Sequence, residues 1–210
     1  MAGTRNDTHP PPVAGLLLAA GGGRRLGGRP KALLEHRGRP LVESAARALR
    51  EGGCGPVHVV LGAASKEVRD RAELPDCVLV DNPSWKEGMG SSLRAGLASL
   101  AGTDARAALV LLVDQPGIGA PAVARVVAAY RSPGSLAAAS YDGRRGHPVL
   151  FGACRWVEIA ADAEGDRGAR DYLKTHESDI VLVECGDVAR AYDIDTEEDL
   201  SHLEEGPRSG

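Results

Sequence analysis

Residues 16–31 run Leu-Leu-Leu-Ala-Ala-Gly-Gly-Gly-Arg-Arg-Leu-Gly-Gly-Arg-Pro-Lys, and they constrain the fold more than any other part of the chain. An apolar run stops at three glycines, two arginines follow, and Lys31 closes the segment. A stretch without polar residues reads as a strand buried on both faces, which implies a parallel sheet covered by helices. Glycines directly after such a strand let the backbone approach a ligand closely, and the cationic side chains stand where phosphate charge needs neutralising.

The rest of the chain repeats the strand–helix alternation. Strands are expected at 13–20, 57–61, 77–80, 107–113 and 180–185. Pro40 is suited to the first turn of a helix that ends at Gly52-Gly53. Ser65 is placed to cap a short helix, and Ser91 or Ser92 to open another. Helical spacing recurs over 121–130, 155–161 and 169–176, and Thr196 begins a last helix with Asp199 returning a capping bond. Residues 136–141 and 148–151 read as an antiparallel pair inserted into the sheet or lying at its edge. The expected architecture is a three-layer α/β/α, Rossmann-like domain with a mostly parallel sheet, spanning 13–203 between tails at 1–12 and 204–210.

Composition narrows the function classes. Hydrophobic residues make up 43% of the 210 but aromatics only 3%, so the core is built from Ala, Val and Leu. A net charge of -4 weighs against a nucleic-acid partner. Cys54, Cys77, Cys154 and Cys185 lack any Cys-x-x-Cys pairing and read as buried small hydrophobes. The first twelve residues have no signal-peptide core, and no segment reaches the length of a membrane span, so a cytoplasmic protein without a membrane partner is expected.

Several phosphate loops begin like this one. A Walker A loop needs a hydroxyl residue directly after its lysine, and Ala32 follows Lys31. A dinucleotide fingerprint needs Gly-x-Gly-x-x-Gly, but Gly21, Gly23 and Gly27 are spaced one residue too far. The acid expected at the end of the second strand is also absent, since that strand ends Leu61-Gly62. Hydride transfer is weakened, although an atypical version survives. The pattern Leu-Ala-Ala-Gly-x-Gly-x-Arg-Leu-Gly-x3-Lys instead resembles the signature loop of nucleotidyltransferases. Its pieces suit that chemistry: Gly21, Gly22 and Gly23 wrap a triphosphate, Arg25 binds departing pyrophosphate, and Lys31 contacts the α-phosphate.

Two further constellations stand out. Asp114 follows the most apolar strand, at the carboxyl end where open α/β sheets bind ligands, and is suited to hold Mg²⁺ against nucleotide phosphates. The competing reading is a cap for the following helix. The segment 82–93, Asn-Pro-Ser-Trp-Lys-Glu-Gly-Met-Gly-Ser-Ser-Leu, enters a helix N-terminus, with Asn82, Ser91 and Ser92 as expected nucleotide contacts. A capped helix with a tryptophan lid is the plainer alternative.

Together with Asp114-Gln115-Pro116, Gly146-His147-Pro148, Gly165-Asp166-x-Gly168-Ala169-Arg170 and Asp193-Ile194-Asp195-Thr196, these motifs resemble the MobA-like NTP transferases over residues 13–203. Within them the similarity is to the molybdenum cofactor cytidylyltransferase branch. The resemblance implies that Leu18, Ala19, Ala20 and Gly21 cradle base and ribose. It gives the triphosphate to Arg25 and Lys31, and Mg²⁺ to Asp114 with Asp195 (Asp193 competing) as second carboxylate. His147 and Arg170 would face the acceptor, a phosphate-bearing molecule of the molybdopterin kind, and a molybdoenzyme is the implied protein partner. Ala19-Ala20 and Gln115 resemble the cytidylyl branch, which points to CTP over GTP. Gly23 departs from the serine common at its position.

The implied reaction is in-line attack of the acceptor phosphate on the α-phosphorus of CTP, by positioning and charge neutralisation rather than general-base catalysis. Three alternatives remain: a nucleotidyltransferase for a sugar or alditol phosphate; an NAD(P)H-dependent, nicotine-blue-reductase-like oxidoreductase reusing the cleft; and a non-catalytic nucleotide sensor or chaperone-like partner. Loss of Asp114 or Lys31 would mark the last, and both are present.

Overall fold

The computed structural model describes residues 13–204; the expected tail at 1–12 lies outside them, and of the expected tail at 204–210 only Glu204 is described, as the last residue of the final helix. The first strand, β1 (Val13–Ala19), is buried along its whole length. Its side chains alternate between two apolar clusters: Val13, Leu17 and Ala19 face one layer of helices, and Ala14, Leu16 and Leu18 the other. This alternation is the direct result of a period-2 backbone in a sheet covered on both sides.

After the glycine loop, a short hairpin of β2 (Glu35–His36) and β3 (Arg39–Pro40) forms a separate two-stranded sheet that the sequence did not announce. Pro40 ends β3 and caps α1 (Leu41–Glu51) from outside rather than standing in its first turn. Then come β4 (Val57–Leu61), α2 (Ser65–Arg71), β5 (Cys77–Asp81), α3 (Met89–Ser99), β6 (Ala107–Leu112) and α4 (Ala120–Val127). Ser65 does not cap α2: it is the first helical residue, and its hydroxyl donates to Asp81 Oδ1 at 2.6 Å. Nor do Ser91 or Ser92 open α3, which starts two residues earlier at Met89.

The second half contains β7 (Leu136–Tyr141), β8 (Arg144–Gly152), α5 (Trp156–Asp162), α6 (Arg170–Thr175), β9 (Val181–Glu184) and α7 (Ser201–Glu204). Asp142 and Gly143, both at positive φ, make the tight turn between β7 and β8. These two strands do form an antiparallel pair, inserted within the sheet rather than lying at its edge. The sheet order is β5-β4-β1-β6-β8-β7-β9, with β8 running against both its neighbours, β6 and β7, while every other adjacent pair in the sheet is parallel. Burial is the reason: β7 and the Pro148–Gly152 end of β8 are apolar on both faces and fit the inside of a sheet, and the more exposed β9 takes the edge.

From β1 the chain moves outward through β4 and β5, then returns to place β6 on the other side of β1. Loops leaving β1 and β6 therefore diverge and open a crevice at their carboxyl ends. Of the cysteines, Cys54 and Cys185 are buried as expected, but Cys77 is half-buried and Cys154 exposed. Among the described residues, no helix is long and apolar enough to cross a membrane.

Candidate active site

The crevice between β1 and β6 holds a cavity of ≈ 680 Å³, continuous with a second of ≈ 420 Å³ that extends over β8. Leu18, Met89, Leu112, Asp166 and Arg170 line both parts.

The glycine loop forms the first wall. Gly23 sits in the left-handed region (φ 60°) and starts a 3-10 turn, Arg24–Leu26, whose Leu26 N–H donates to Gly23 O at 2.9 Å. A Cβ at Gly23 would lie 1.9 Å from Arg29 O, so the close return of the loop onto itself requires glycine. Leu26, fully buried, anchors the loop while Arg25 remains exposed at the cavity wall.

Lys31 reaches from the far end of the loop to the end of β6. Its Nζ donates to Asp114 Oδ2 at 2.6 Å and to Asp195 Oδ1 at 2.5 Å. Asp195 comes from a segment tied down by Ile194 N–H on Asp114 O (2.9 Å) and by Asp199 Oδ2, which accepts from the backbone of Asp195 and Thr196. Asp193, the competing carboxylate, turns elsewhere and accepts from Gln115 Nε2 at 2.7 Å. Asp114 is thus not a helix cap; α4 begins at Ala120 without a side-chain cap. Burial alone would lower the Lys31 pKa, but Asp114 and then Asp195 outweigh burial and raise it. Burial also raises the pKa of Asp114 against the pull of Lys31, because this carboxyl is the more enclosed and is crowded by Asp193 and Asp195.

The helix-entry loop plays a different part from the one expected. Asn82 is only 4% exposed, its Nδ2 donates to Ser91 Oγ and Ser92 Oγ, and its Oδ1 accepts from Ser84 N–H. Ser91 is consumed by Ser84 O and Gly88 O. Asn82 and Ser91 therefore brace the wall from behind, and Ser92 alone of the three lines the cavity. Because Ser84 fixes which way the Asn82 amide points, Ser92 must accept from it, leaving the Ser92 hydroxyl proton to face the cavity. Trp85, on the same loop, packs against the glycine loop: a Cβ at Gly22 would lie 3.2 Å from its ring.

His147 and Arg170 line the second part of the cavity. Gly88 and Gly168 bring that wall in: a Cβ at Gly88 would lie 2.5 Å from Asp166 Oδ1, and one at Gly168 3.1 Å from Met89 Sδ. Burial holds the His147 pKa down to about 4, with Asp193 pulling up and Arg145 pushing down, so its ring is neutral at pH 7. It offers a hydrogen bond there rather than a charge. Arg145 was not singled out from the sequence, yet the period-2 pattern carries the signal. Residues 145, 147, 149 and 151 share the β8 face that lines this cavity.

Some arginines on the outer surface pair with carboxylates, as Arg47 does with Glu51 and Arg125 with Asp187. Among the described residues, Arg25, Arg145 and Arg170 have no carboxylate within 4.0 Å, and all three line the cleft. Unpaired cations around a carboxylate–lysine centre suit an anionic ligand at each end.

A glycine loop, a carboxylate at the next strand end and a half-apolar second pocket define an α/β enzyme of the nucleotidyltransferase type. The chain belongs to the MobA-like NTP transferase domain family, whose profile matches residues 15–180. It is 43% identical over 204 residues to nicotine blue oxidoreductase of Paenarthrobacter nicotinovorans, covering 94% of this chain and 98% of that protein. A molybdenum cofactor guanylyltransferase of Shewanella amazonensis is 27% identical over 184 residues, covering 86% and 89%. Among solved structures, the Rv0371c homologue from Mycobacterium sp. strain JC1 superposes with a TM-score of 0.79 at 28% identity, covering 91% of this chain and 94% of that one.

Proposed function

We propose that the protein transfers CMP from CTP to a phosphate-bearing acceptor of the molybdopterin kind, with release of pyrophosphate and dependence on Mg²⁺. The observation that carries this reading is the convergence of Asp114, Asp195 and Lys31 beside the glycine loop, between unpaired Arg25 on one side and Arg145 and Arg170 on the other. The acceptor phosphate oxygen would bond to the α-phosphorus as the bond to the β-phosphate bridging oxygen breaks. Arg25 would hold the departing pyrophosphate and Lys31 the charge growing on the α-phosphate. Arg170, with neutral His147 as a hydrogen-bonding neighbour, would orient the acceptor. An ionised phosphate monoester needs no general base.

The donor set fits a divalent cation: Asp114 and Asp195 converge on one ammonium and would hold the cation through their carboxylates, with nucleotide phosphates supplying further oxygen ligands. When bound there, the cation supplies charge neutralisation and a fixed phosphate geometry. CTP as donor rests on the likeness of Ala19-Ala20 and Gln115 to the cytidylyl branch. The guanylyltransferase relative makes GTP the necessary comparison.

The 43% relative supports a second reading, reduction of a dye-like acceptor with NAD(P)H. The end of β4 speaks against binding a dinucleotide in the usual manner. A Cβ at Gly62 would lie 2.6 Å from both Ala20 O and Trp85 Cβ, so the position of the ribose-binding acid is closed. Pyrophosphate release with CTP, GTP or ATP and Mg²⁺, run beside NAD(P)H oxidation with a quinonoid dye, separates the two. Transfer that persists in Asp114→Asn or Lys31→Met would sink the first reading, and dye reduction without pyrophosphate release would establish the second.

A further inference from the structure

Lys31 stands where the two carboxylates would hold a metal ion. Its Nζ lies 2.6 Å from Asp114 Oδ2 and 2.5 Å from Asp195 Oδ1, and its side chain is 15% exposed. A divalent cation would need the same two oxygens at about 2.0–2.1 Å for Mg²⁺. Ammonium and metal cannot both occupy the gap between these two oxygens, because the distances leave no room and like charges so close in a half-buried site repel strongly. With Lys31 in place the centre carries one negative charge; a metal ion that merely expelled Lys31 would leave the carboxylate pair neutral, with an unpartnered ammonium beside it.

Nucleotide phosphates change that balance. They bring several negative charges into the cavity that Lys31 itself lines, so the ammonium gains a new partner as it leaves the old ones. The backbone need not move: the turn Lys31–Leu33 is held by Leu33 N–H on Pro30 O and Leu34 N–H on Lys31 O. A swing of the side chain is enough.

We infer that Lys31 is an internal counter-cation that closes the Asp114–Asp195 pair to free metal, so that the divalent cation enters only together with a nucleotide. This rests on the nucleotidyltransferase reading for the identity of the phosphates. It gives Lys31 two stations, one on the carboxylates and one on the phosphates.

The test uses the full chain and Mn²⁺ as the metal probe, measured by equilibrium dialysis with electron paramagnetic resonance of the free ion. Without nucleotide, the wild type should retain no Mn²⁺ up to about 1 mM, the weak end of the affinities that protein oxygen sites show for a divalent cation such as Ca²⁺. Lys31→Met should bind it about tenfold more tightly or better, and Lys31→Met with Asp114→Asn should lose that gain. Adding CTP should draw Mn²⁺ and CTP together into the wild-type compartment. Micromolar Mn²⁺ binding by the nucleotide-free wild type overturns the inference, whether or not Lys31→Met folds, and so does a folded Lys31→Met with unchanged affinity. Failure of CTP to accumulate, with the Lys31→Met gain intact, overturns the nucleotide reading and joint entry while leaving the counter-cation role standing.

Discussion

Gly23 offers the sharpest test of how the loop is built, because Gly21 two residues away supplies its own control. Gly23 has φ 60°, and a Cβ there would meet Arg29 O at 1.9 Å and Arg29 C at 2.9 Å. An alanine would therefore carry the left-handed penalty of about 1–2 kcal/mol. It would also push the Arg29 carbonyl back by roughly 1.4 Å to reach an ordinary carbon–oxygen contact, at a further cost of about 1–3 kcal/mol as in other overpacked sites. Leu26 locks this loop to the core, so part of the strain reaches the whole fold. We expect Gly23→Ala to lower the melting temperature by about 5 °C or more, given about 2–4 °C per kcal/mol for a chain of this size. Nucleotide must bind the native loop shape, so about 2 kcal/mol of loop strain raises the Kd for Mg-CTP about 30-fold. A Cβ at Gly21 meets nothing within 4 Å, so Gly21→Ala should melt with the wild type. Calorimetric melting and isothermal titration read both effects. Equal melting temperatures for the two variants, with wild-type affinity in Gly23→Ala, would refute the reasoning.

Three other expectations follow from single groups. Asn82→Ala removes bonds to Ser84, Ser91 and Ser92 in a buried site and should cost about 2–4 kcal/mol, read as a lower urea midpoint; an unchanged midpoint would mean the brace is dispensable. His147 titrates near 4 when folded against about 6.5 unfolded, so below the unfolded value the unfolded chain takes up the proton first. Stability should therefore fall as pH drops from about 6.5 to about 4, and His147→Gln should flatten that slope in denaturation series. In native thiol titration Cys154 should react first, while Cys54, whose thiol burial pushes up to about 12, should react only on unfolding.

Local pattern carried much of this protein. The apolar run of β1 ending in glycines determined a buried parallel strand and a close-approach loop, since both follow from residues adjacent in the chain. Asp114 at the end of the most apolar strand was legible for the same reason. What lay beyond local pattern was partnership. Asn82, Ser91 and Ser92 are chemically alike as hydrogen-bonding residues, yet only Ser92 faces the cavity, because the direction of one amide depends on the Ser84 backbone folded back against it. Asp193 and Asp195 are two residues apart and equivalent on paper. The bond from Ile194 to Asp114 O fixes their segment beside β6, where Asp195 meets Lys31 and Asp193 meets Gln115. The β7–β8 pair read equally as an insertion or an edge until the sheet order placed it inside, where burial from both helix layers suits its apolar residues. Sequence alone thus determined the strand, its loop and the kind of charge they invite. Only tertiary contact decided which carboxylates meet Lys31, because that depends on segments more than eighty residues apart being brought to one point.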